Sequence, residues 1–242
     1  MKTPVLVIGI ALLAIAGGAA GYYGGELAEP GPTPYGVAAG PLAGTKVAPS
    51  TPSTPSTPLS RKTPKPSKVP PLLPGDLEFK TRNFSVESTT GEQVRLSIRT
   101  PASWKLIDNP KAPTEVKFVG AQGERAIRVE SGFPPDKSVM QSREEIVTGL
   151  AESQPYENDV QIKSPDVKVS QVEGDDGRLR TVSTLVYTYI PDEVVRYVIV
   201  RWVATGDDDK ATVEMSIAGL PQDVKALNEI LDQATRSVKF RD

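Results

Sequence analysis

Apolar and polar residues alternate over much of the C-terminal two thirds of the chain, which is the pattern of half-buried β-strands. The pattern predicts strands over residues 94–99, 115–118, 127–133, 167–173, 179–190, 194–204 and 211–218. In the segment 194–204 both faces are apolar, so that strand needs a covering layer on each side. The segment 211–218 has one apolar and one polar face.

Two segments instead repeat apolar residues at helical spacing. The first begins at Ser142-Arg143-Glu144-Glu145, which matches a capping box, and ends before Pro155. The second follows Pro221 and extends to about Ser237. Short turns join the later strands, and short turns require antiparallel pairing. We therefore predict that residues 76–242 form an α+β domain, an antiparallel sheet with helices packed on both faces.

The N-terminal segment has the character of a membrane span. Residues 3–25 form a run of 23 residues without a charge, and about 20 apolar residues suffice to cross a bilayer. Lys2 precedes this run, and Glu26 and Glu29 are the first charges after it. We predict that residues 1–25 are a single-pass transmembrane anchor with a cytoplasmic N-terminus and an extracytoplasmic C-terminal domain. The alternative is a cleaved signal peptide and a secreted protein, since Gly18-Ala19-Ala20 offers small residues for cleavage.

A proline-rich segment connects this run to the domain. Residues 30–75 contain 13 of the 23 prolines, and residues 49–58 repeat a Thr-Pro-Ser unit. Proline removes backbone donors, and few large apolar side chains are present to offset the loss of chain entropy. Residues 26–75 are therefore predicted to be a disordered Pro/Ser/Thr/Gly-rich linker.

The composition excludes several chemistries. The chain contains no Cys and no His, so disulfides, thiolate nucleophiles and His-based triads or zinc sites are excluded. Its net charge of −2 gives no overall basic signature for nucleic acid, and we expect no nucleic-acid partner.

Carboxylates are the remaining candidates for catalysis. Glu115, Glu130 and Glu214 lie on predicted strands, where a pair of acids could cleave a glycoside. Each of them alternates with apolar neighbours, so we expect solvent-facing strand positions and a protein that is not an enzyme. No catalytic or cofactor-binding residue is assigned.

Two predicted turns carry clustered acids that could attract Ca²⁺ or a basic partner. If both connections are hairpins, these turns lie at the same end of the sheet. The candidate ligands are Glu173, Asp175, Asp176, Asp207, Asp208 and Asp209. Their spacing is not that of an EF-hand, and Asp also favours tight turns for local reasons. We therefore expect no cofactor, with calcium at these turns as the one alternative.

The segment Val94-Arg95-Leu96-Ser97-Ile98-Arg99-Thr100-Pro101-Ala102-Ser103-Trp104-Lys105 resembles the opening strand, Pro and Trp motif of PsbP-like proteins. This family includes the extrinsic photosystem II subunit, the Ran-binding protein Mog and exported actinobacterial proteins. The further matches are residues 127–133, 144–150, 187–189 and 237–240. The resemblance implies an α/β/α sandwich around an antiparallel sheet, generally without enzymatic activity and often acting by docking. The family's lipoproteins carry an acylated Cys, which this chain lacks.

Together these features predict a membrane-tethered, extracytoplasmic, non-catalytic domain of the cell envelope. It would bind an envelope protein or a cell-wall component. One alternative is a ligand or lipid carrier with an apolar pocket between helix and sheet. The other is a carboxylate-dependent cell-wall hydrolase.

Overall fold

The computed structural model describes residues 60–166 and 168–242. The predicted anchor (1–25) and residues 26–59 of the predicted linker lie outside the described residues. Within the described ranges, no helix has both the length and the apolar character needed to cross a membrane.

The described part of the chain folds into eleven strands and two helices. The strands are β1 (Phe79–Glu87), β2 (Gln93–Pro101), β3 (Lys105–Asp108), β4 (Glu115–Val119), β5 (Ala126–Ser131), β6 (Gln161–Ile162), β7 (Val169–Glu173), β8 (Leu179–Tyr189), β9 (Arg196–Ala204), β10 (Val213–Gly219) and β11 (Lys239–Arg241). The helices are α1 (Val139–Ser153) and α2 (Val224–Ser237).

The strands form two antiparallel sheets. The larger has eight strands in the order β3-β4-β5-β10-β9-β8-β6, and β7 also pairs with β8. The smaller has the order β1-β2-β11. The prediction of an antiparallel sheet with two helices is confirmed, but it did not include the second sheet.

The two helices lie on opposite faces of the large sheet. Strand β9 has apolar side chains on both faces. Val198 and Trp202 pack in a cluster with Val139 and Leu150 of α1. On the other face, Ile199 and Val203 pack with α2 and with β1 and β2 of the small sheet. The expectation that the segment 194–204 needs two covering layers is therefore confirmed.

All seven predicted strands are present, with bounds that differ by a few residues. Four strands, β1, β3, β6 and β11, were not predicted. The start of α1 was wrong, because Ser138 rather than Ser142 caps this helix. The Ser138 side chain accepts from the Gln141 backbone N–H at 3.2 Å, and the Gln141 side chain accepts from the Ser138 N–H at 2.9 Å. The complete capping box therefore begins four residues upstream of the predicted helix start.

The last part of the predicted linker, residues 60–75, lies against the domain, and we call it the strap. The backbone N–H of Lys62 donates to the Glu157 carbonyl at 2.9 Å, and that of Lys65 donates to the Glu193 carbonyl at 2.6 Å. Leu72 donates its backbone N–H to the Asp223 carboxylate at 2.8 Å. The prediction of a disordered linker therefore does not hold for residues 60–75, because backbone donors between the prolines find acceptors on the domain.

Candidate functional site

Three adjacent strands bring Glu115, Glu130 and Glu214 side by side. Glu115 of β4 pairs with Glu130 of β5, and Glu130 pairs in turn with Glu214 of β10. We call these three residues the glutamate row. The expectation of solvent-facing positions is wrong, since the side chains of Glu115, Glu214 and Glu130 are only 4%, 16% and 25% exposed. The row lies on the face of the sheet that also carries Trp202, which pairs with Glu214.

A single arginine holds all three carboxylates. Arg128 of β5 is 7% exposed, and its guanidinium donates to each member of the glutamate row. Its Nε reaches Glu115, its Nη2 reaches Glu130, and its Nη1 lies 2.6 Å from Glu214 Oε1. The rigid fork of the arginine side chain suits such a multidentate role.

The second oxygen of each carboxylate lies near one further donor. These contacts are Lys117 Nζ to Glu115 Oε1 at 3.3 Å, Thr114 Oγ1 to Glu130 Oε1 at 3.2 Å, and Trp202 Nε1 to Glu214 Oε2 at 2.9 Å. The network therefore places three carboxylates against two cations, Arg128 and Lys117.

This environment shifts the pKa values of two neighbouring carboxyls in opposite directions. Burial opposes ionisation of Glu115, but its hydrogen bond to Arg128 and the charge of Arg128 outweigh burial and hold its pKa below the ordinary value. Burial raises the pKa of Glu130; the charge of Arg128 opposes this rise, and the charge of Glu214 adds to it. Glu115 is therefore held as a carboxylate, whereas Glu130 takes up a proton more readily than an ordinary glutamate.

A serine hydroxyl lies on the floor beside the glutamate row. Ser216 of β10 pairs with Arg128, is 1% exposed, and has a buried Oγ without a hydrogen-bond partner. Burial raises the pKa of Tyr187 of β8, and the charges of Tyr189 and Glu214 add to this rise against the opposing charge of Arg128. Polar and aromatic groups therefore gather here on a face that is otherwise apolar around β8 and β9.

A separate groove of about 430 Å³ opens at the other end of the β8–β9 hairpin. Its mostly apolar wall includes Pro64, Ile190, Val195, Tyr197, Pro221 and Val224. These residues come from the strap, the hairpin and the start of α2. A pocket between helix and sheet is the feature that the carrier alternative predicted.

Polar residues stand on one side of this groove. Asp159 and Lys163 both line it. The Asp159 carboxylate forms a 2.7 Å ion pair with Arg61 of the strap, and Lys163 Nζ lies 3.2 Å from the Gln161 side-chain oxygen. The groove thus combines an apolar body with a few polar groups, as ligand sites commonly do.

The acidic turns lie at the same end of the large sheet, since residues next to them pair as Thr181 with Ala204. At the first turn, Asp175 accepts from Arg99 at 2.7 Å, and Asp176 lies 3.4 Å from Arg180. At the second turn, Asp208 accepts from the Lys210 backbone N–H at 3.1 Å.

None of these contacts joins the two turns. Glu173 is exposed beside the first turn, and Asp207 and Asp209 are exposed in the second turn. In the part of the chain that the structure describes, no group of three or more acidic side chains is arranged to hold a metal ion.

The sequence alone did not identify Arg128 and Ser216 as members of a site. A signal was present, because Arg128 and Glu130 lie two residues apart and so share one face of a strand. The missing information was register, which decides whether acids on three strands meet in one row.

No family model and no curated protein sequence matches this chain. Two solved structures are similar in fold. The Ran-binding protein Mog1p of Saccharomyces cerevisiae has 16% identity and a TM-score of 0.40, with 66% of this chain and 96% of that chain covered. LpqN of Mycobacterium tuberculosis, described as involved in cell envelope biogenesis, has 14% identity and a TM-score of 0.43, with 67% and 92% covered. Similarity at this level concerns the course of the backbone, and neither family nor function is inferred from it.

Proposed function

We propose that the chain is a non-catalytic binding domain of the cell envelope, tethered to the membrane through residues 1–25. In this proposal, the groove beside the strap takes an envelope component with an apolar body and a polar end. The observation that carries the proposal is the groove itself. Its volume of about 430 Å³ falls within the range of about 300–1,000 Å³ that is usual for ligand sites.

The composition of the groove supports an apolar ligand. Tyr197, Ile190 and Val195 supply apolar surface on the hairpin side, and Val224 supplies it at the start of α2. Burying apolar surface contributes roughly 25 cal/mol per Å². Lys163 stands at the groove and can orient the polar end of a ligand.

The strap forms part of the wall of the groove. Pro64 lines the groove, and the backbone contacts of Lys62 and Lys65 hold the strap on the domain. Residues 26–59 precede this point in the sequence. A ligand in the groove would therefore lie against the strap, which follows the predicted linker residues 26–59 in the sequence.

The contacts of the glutamate row favour binding over catalysis. A general acid must deliver its proton to a substrate, and a nucleophile must be free to attack. Arg128 instead donates to all three carboxylates at once. The absence of Cys and His from the sequence removes thiolate nucleophiles and imidazole bases.

The test is native mass spectrometry of the full chain extracted from its own membranes. The wild-type protein should retain a ligand mass, and Val195→Trp should lose it because the indole fills the groove. Leu106→Trp, on the distant edge strand β3 where Leu106 is 40% exposed, is the matched control and should retain the ligand. Equal ligand retention by wild type and Val195→Trp, or no retained mass in the wild type, would contradict the proposal.

One observation favours carboxylate-dependent hydrolysis as a second candidate. The opposite pKa shifts of Glu115 and Glu130 resemble the division of an acid and a base between neighbouring carboxyls. Turnover of cell-wall glycans by the purified chain, abolished in both Glu130→Gln and Glu115→Gln, would establish this candidate in place of the binding function. Under the binding proposal, no turnover occurs.

A further inference from the structure

One side of the groove carries a cation that no carboxylate of the described residues pairs with. Two of the residues that line the groove are charged, Asp159 and Lys163. Among the described residues, Lys163 forms no ion pair, and its Nζ lies 3.2 Å from the neutral side-chain oxygen of Gln161. Asp159 is already engaged, because Arg61 pairs with one of its oxygens at 2.7 Å and Gln161 donates to the other at 3.1 Å. The charge that the groove offers to a ligand is therefore positive.

The pairing of β6 with β8 gathers the polar side chains of the groove on one face. Gln161 lies opposite Thr188, and the Lys163 backbone N–H donates to the Val186 carbonyl at 2.8 Å, which continues this pairing. Residues opposite each other on paired strands, and residues two apart along a strand, share a face. The Lys163 ammonium and the Thr188 hydroxyl can both donate hydrogen bonds, and both residues line the groove. The polar side therefore presents one cation and one neutral donor.

The apolar wall begins directly beside these donors. Tyr197 of β9 lies opposite Thr188 of β8, and both line the groove. Val195, Pro221 and Val224 extend the wall from the hairpin to the start of α2. A ligand that fills the groove therefore has an apolar body joined directly to the group that meets Lys163.

We propose that the groove binds an organic carboxylate with a single alkyl chain, its carboxylate held by Lys163 and Thr188 and its chain packed against Tyr197. This inference rests on the proposed function and names the class of ligand. A carboxylate carries one negative charge, which matches the one cation, and hydrogen bonds between ionised partners are about twice as strong as neutral ones. A phosphate monoester fits less well, because it carries about −1.5 to −2 charges at pH 7 and would place the excess beside Asp159.

Isothermal titration calorimetry of the full chain in phosphatidylcholine nanodiscs tests the proposal, with empty nanodiscs as the blank. Octanoate and octan-1-ol are the two ligands, since they have equal chain lengths and differ at the polar end. At neutral pH and low ionic strength, the wild type should bind octanoate about fivefold more tightly than octanol.

Variants of the two donors locate the preference. Lys163→Met keeps a flexible apolar stem and should abolish the preference without weakening octanol, whereas Lys163→Arg should keep it because a guanidinium also pairs with a carboxylate. Thr188→Val should weaken octanoate by a smaller factor than Lys163→Met. Lys163 is exposed, so its replacement spares the core. Lys105→Met, at an exposed position on the distant edge strand β3, is the matched control and should bind both ligands like the wild type.

The groove variant Val195→Trp separates this inference from the proposed function, since it should lose both ligands. Equal affinity of the wild type for octanoate and octanol, with both lost in Val195→Trp, would overturn the carboxylate assignment while the groove remains a ligand site. A preference for octanoate that survives Lys163→Met would also overturn the assignment. Failure of the wild type to bind either ligand, or binding that survives Val195→Trp, would overturn the groove and the assignment together.

Discussion

Two clusters of buried charge in this domain differ in their balance. At the start of α2, the fully buried Asp223 faces one cation, Arg125, which donates from Nε at 2.7 Å and from Nη2 at 2.9 Å. Backbone N–H groups of Leu72 and Leu220 donate to the same carboxylate at 2.8 and 3.1 Å. In the glutamate row, three carboxylates share two cations, and Ser216 nearby has no hydrogen-bond partner.

The difference separates a carboxylate whose charge is matched by one cation from carboxylates that outnumber their cations. The Asp223 cluster joins the strap, the end of β10 and the loop before β5, because two donors of Arg125 and the backbone N–H groups of Leu72 and Leu220 all reach one carboxylate. The glutamate row is less buried and leaves one negative charge without a partner cation. Charge balance and burial therefore mark Asp223 as part of the support of the fold, whereas the glutamate row holds carboxylates that the chain neutralises only in part.

The largest expected effect is that of removing Arg128. Arg128→Met leaves three carboxylates together without their main cation, and we expect a loss of about 3–5 kcal/mol in the free energy of unfolding at pH 7. The loss should shrink towards pH 5, because crowded carboxyls take up protons in the folded state. Denaturant unfolding at both pH values measures this, with the exposed Arg95→Met as control. An equal loss at both pH values would contradict the account.

Breaking the balanced cluster should have a somewhat smaller effect and a different signature. Asp223→Asn leaves Arg125 without its carboxylate, and we expect a loss of about 2–4 kcal/mol. Because Leu72 donates to Asp223, its amide should lose protection in hydrogen exchange. Asp207→Asn, in an exposed turn, is the control. Unchanged protection at Leu72 would show that Asp223 does not hold the strap.

Neutralising Glu115 and neutralising Glu130 should have opposite effects on the stability of the fold. The pKa of Glu115 is lowered in the folded state, so its charge stabilises the fold above its ordinary pKa, and this stability is lost as the pH falls through the folded pKa. Glu115→Gln should therefore cost about 1–3 kcal/mol at pH 7.

The pKa of Glu130 is raised, so ionisation of Glu130 opposes folding at neutral pH, and this penalty fades as the pH falls through the raised pKa of the folded state and is absent below the ordinary pKa. Glu130→Gln should therefore raise the melting temperature at pH 7 or leave it unchanged. Thermal unfolding of both variants between pH 4 and pH 8 measures the difference. Equal destabilisation by the two variants at pH 7 would refute the division between them.

The smallest effect concerns the strap at the groove. Lys62 Nζ donates to Asn158 Oδ1 at 2.6 Å and to the Pro191 carbonyl at 2.5 Å, in a partly buried position. Lys62→Ala should cost less than about 1 kcal/mol. It should increase hydrogen exchange at residues 62–65 and leave the amide of Leu72 protected, since Asp223 holds that end separately. Loss of protection along the whole strap would contradict the expectation that Lys62 and Asp223 hold the strap independently of each other.

Elements with a clear hydrophobic period could be predicted from the sequence. Elements whose formation depends on pairing between distant segments of the chain could not. Strand β9 and helix α2 have strong periodic patterns, and both formed as expected. In β1, Phe84 and Val86 are the only buried residues, so its pattern is short. The strap could not be foreseen, because its prolines indicate extended chain but do not show which carbonyls its remaining N–H groups will meet.

The glutamate row shows that the same limit applies to predicting a cluster of side chains from the sequence. Each acid was identified as a candidate, and each strand was predicted. Arg128 meets partners that lie 13 and 86 residues away along the chain, so only the register of three strands brings them together. A shift of one residue in any of these strands would turn its charged side chains to the other face of the sheet.

The most direct measurement is a titration of the side-chain carboxyl groups of Glu115 and Glu130 by carbon-13 nuclear magnetic resonance. The pKa of Glu130 should lie above its ordinary value and that of Glu115 below it. A pKa of Glu130 at or below its ordinary value, or a pKa of Glu115 above its ordinary value, would contradict the claim that Arg128 compensates the charges of the row unequally.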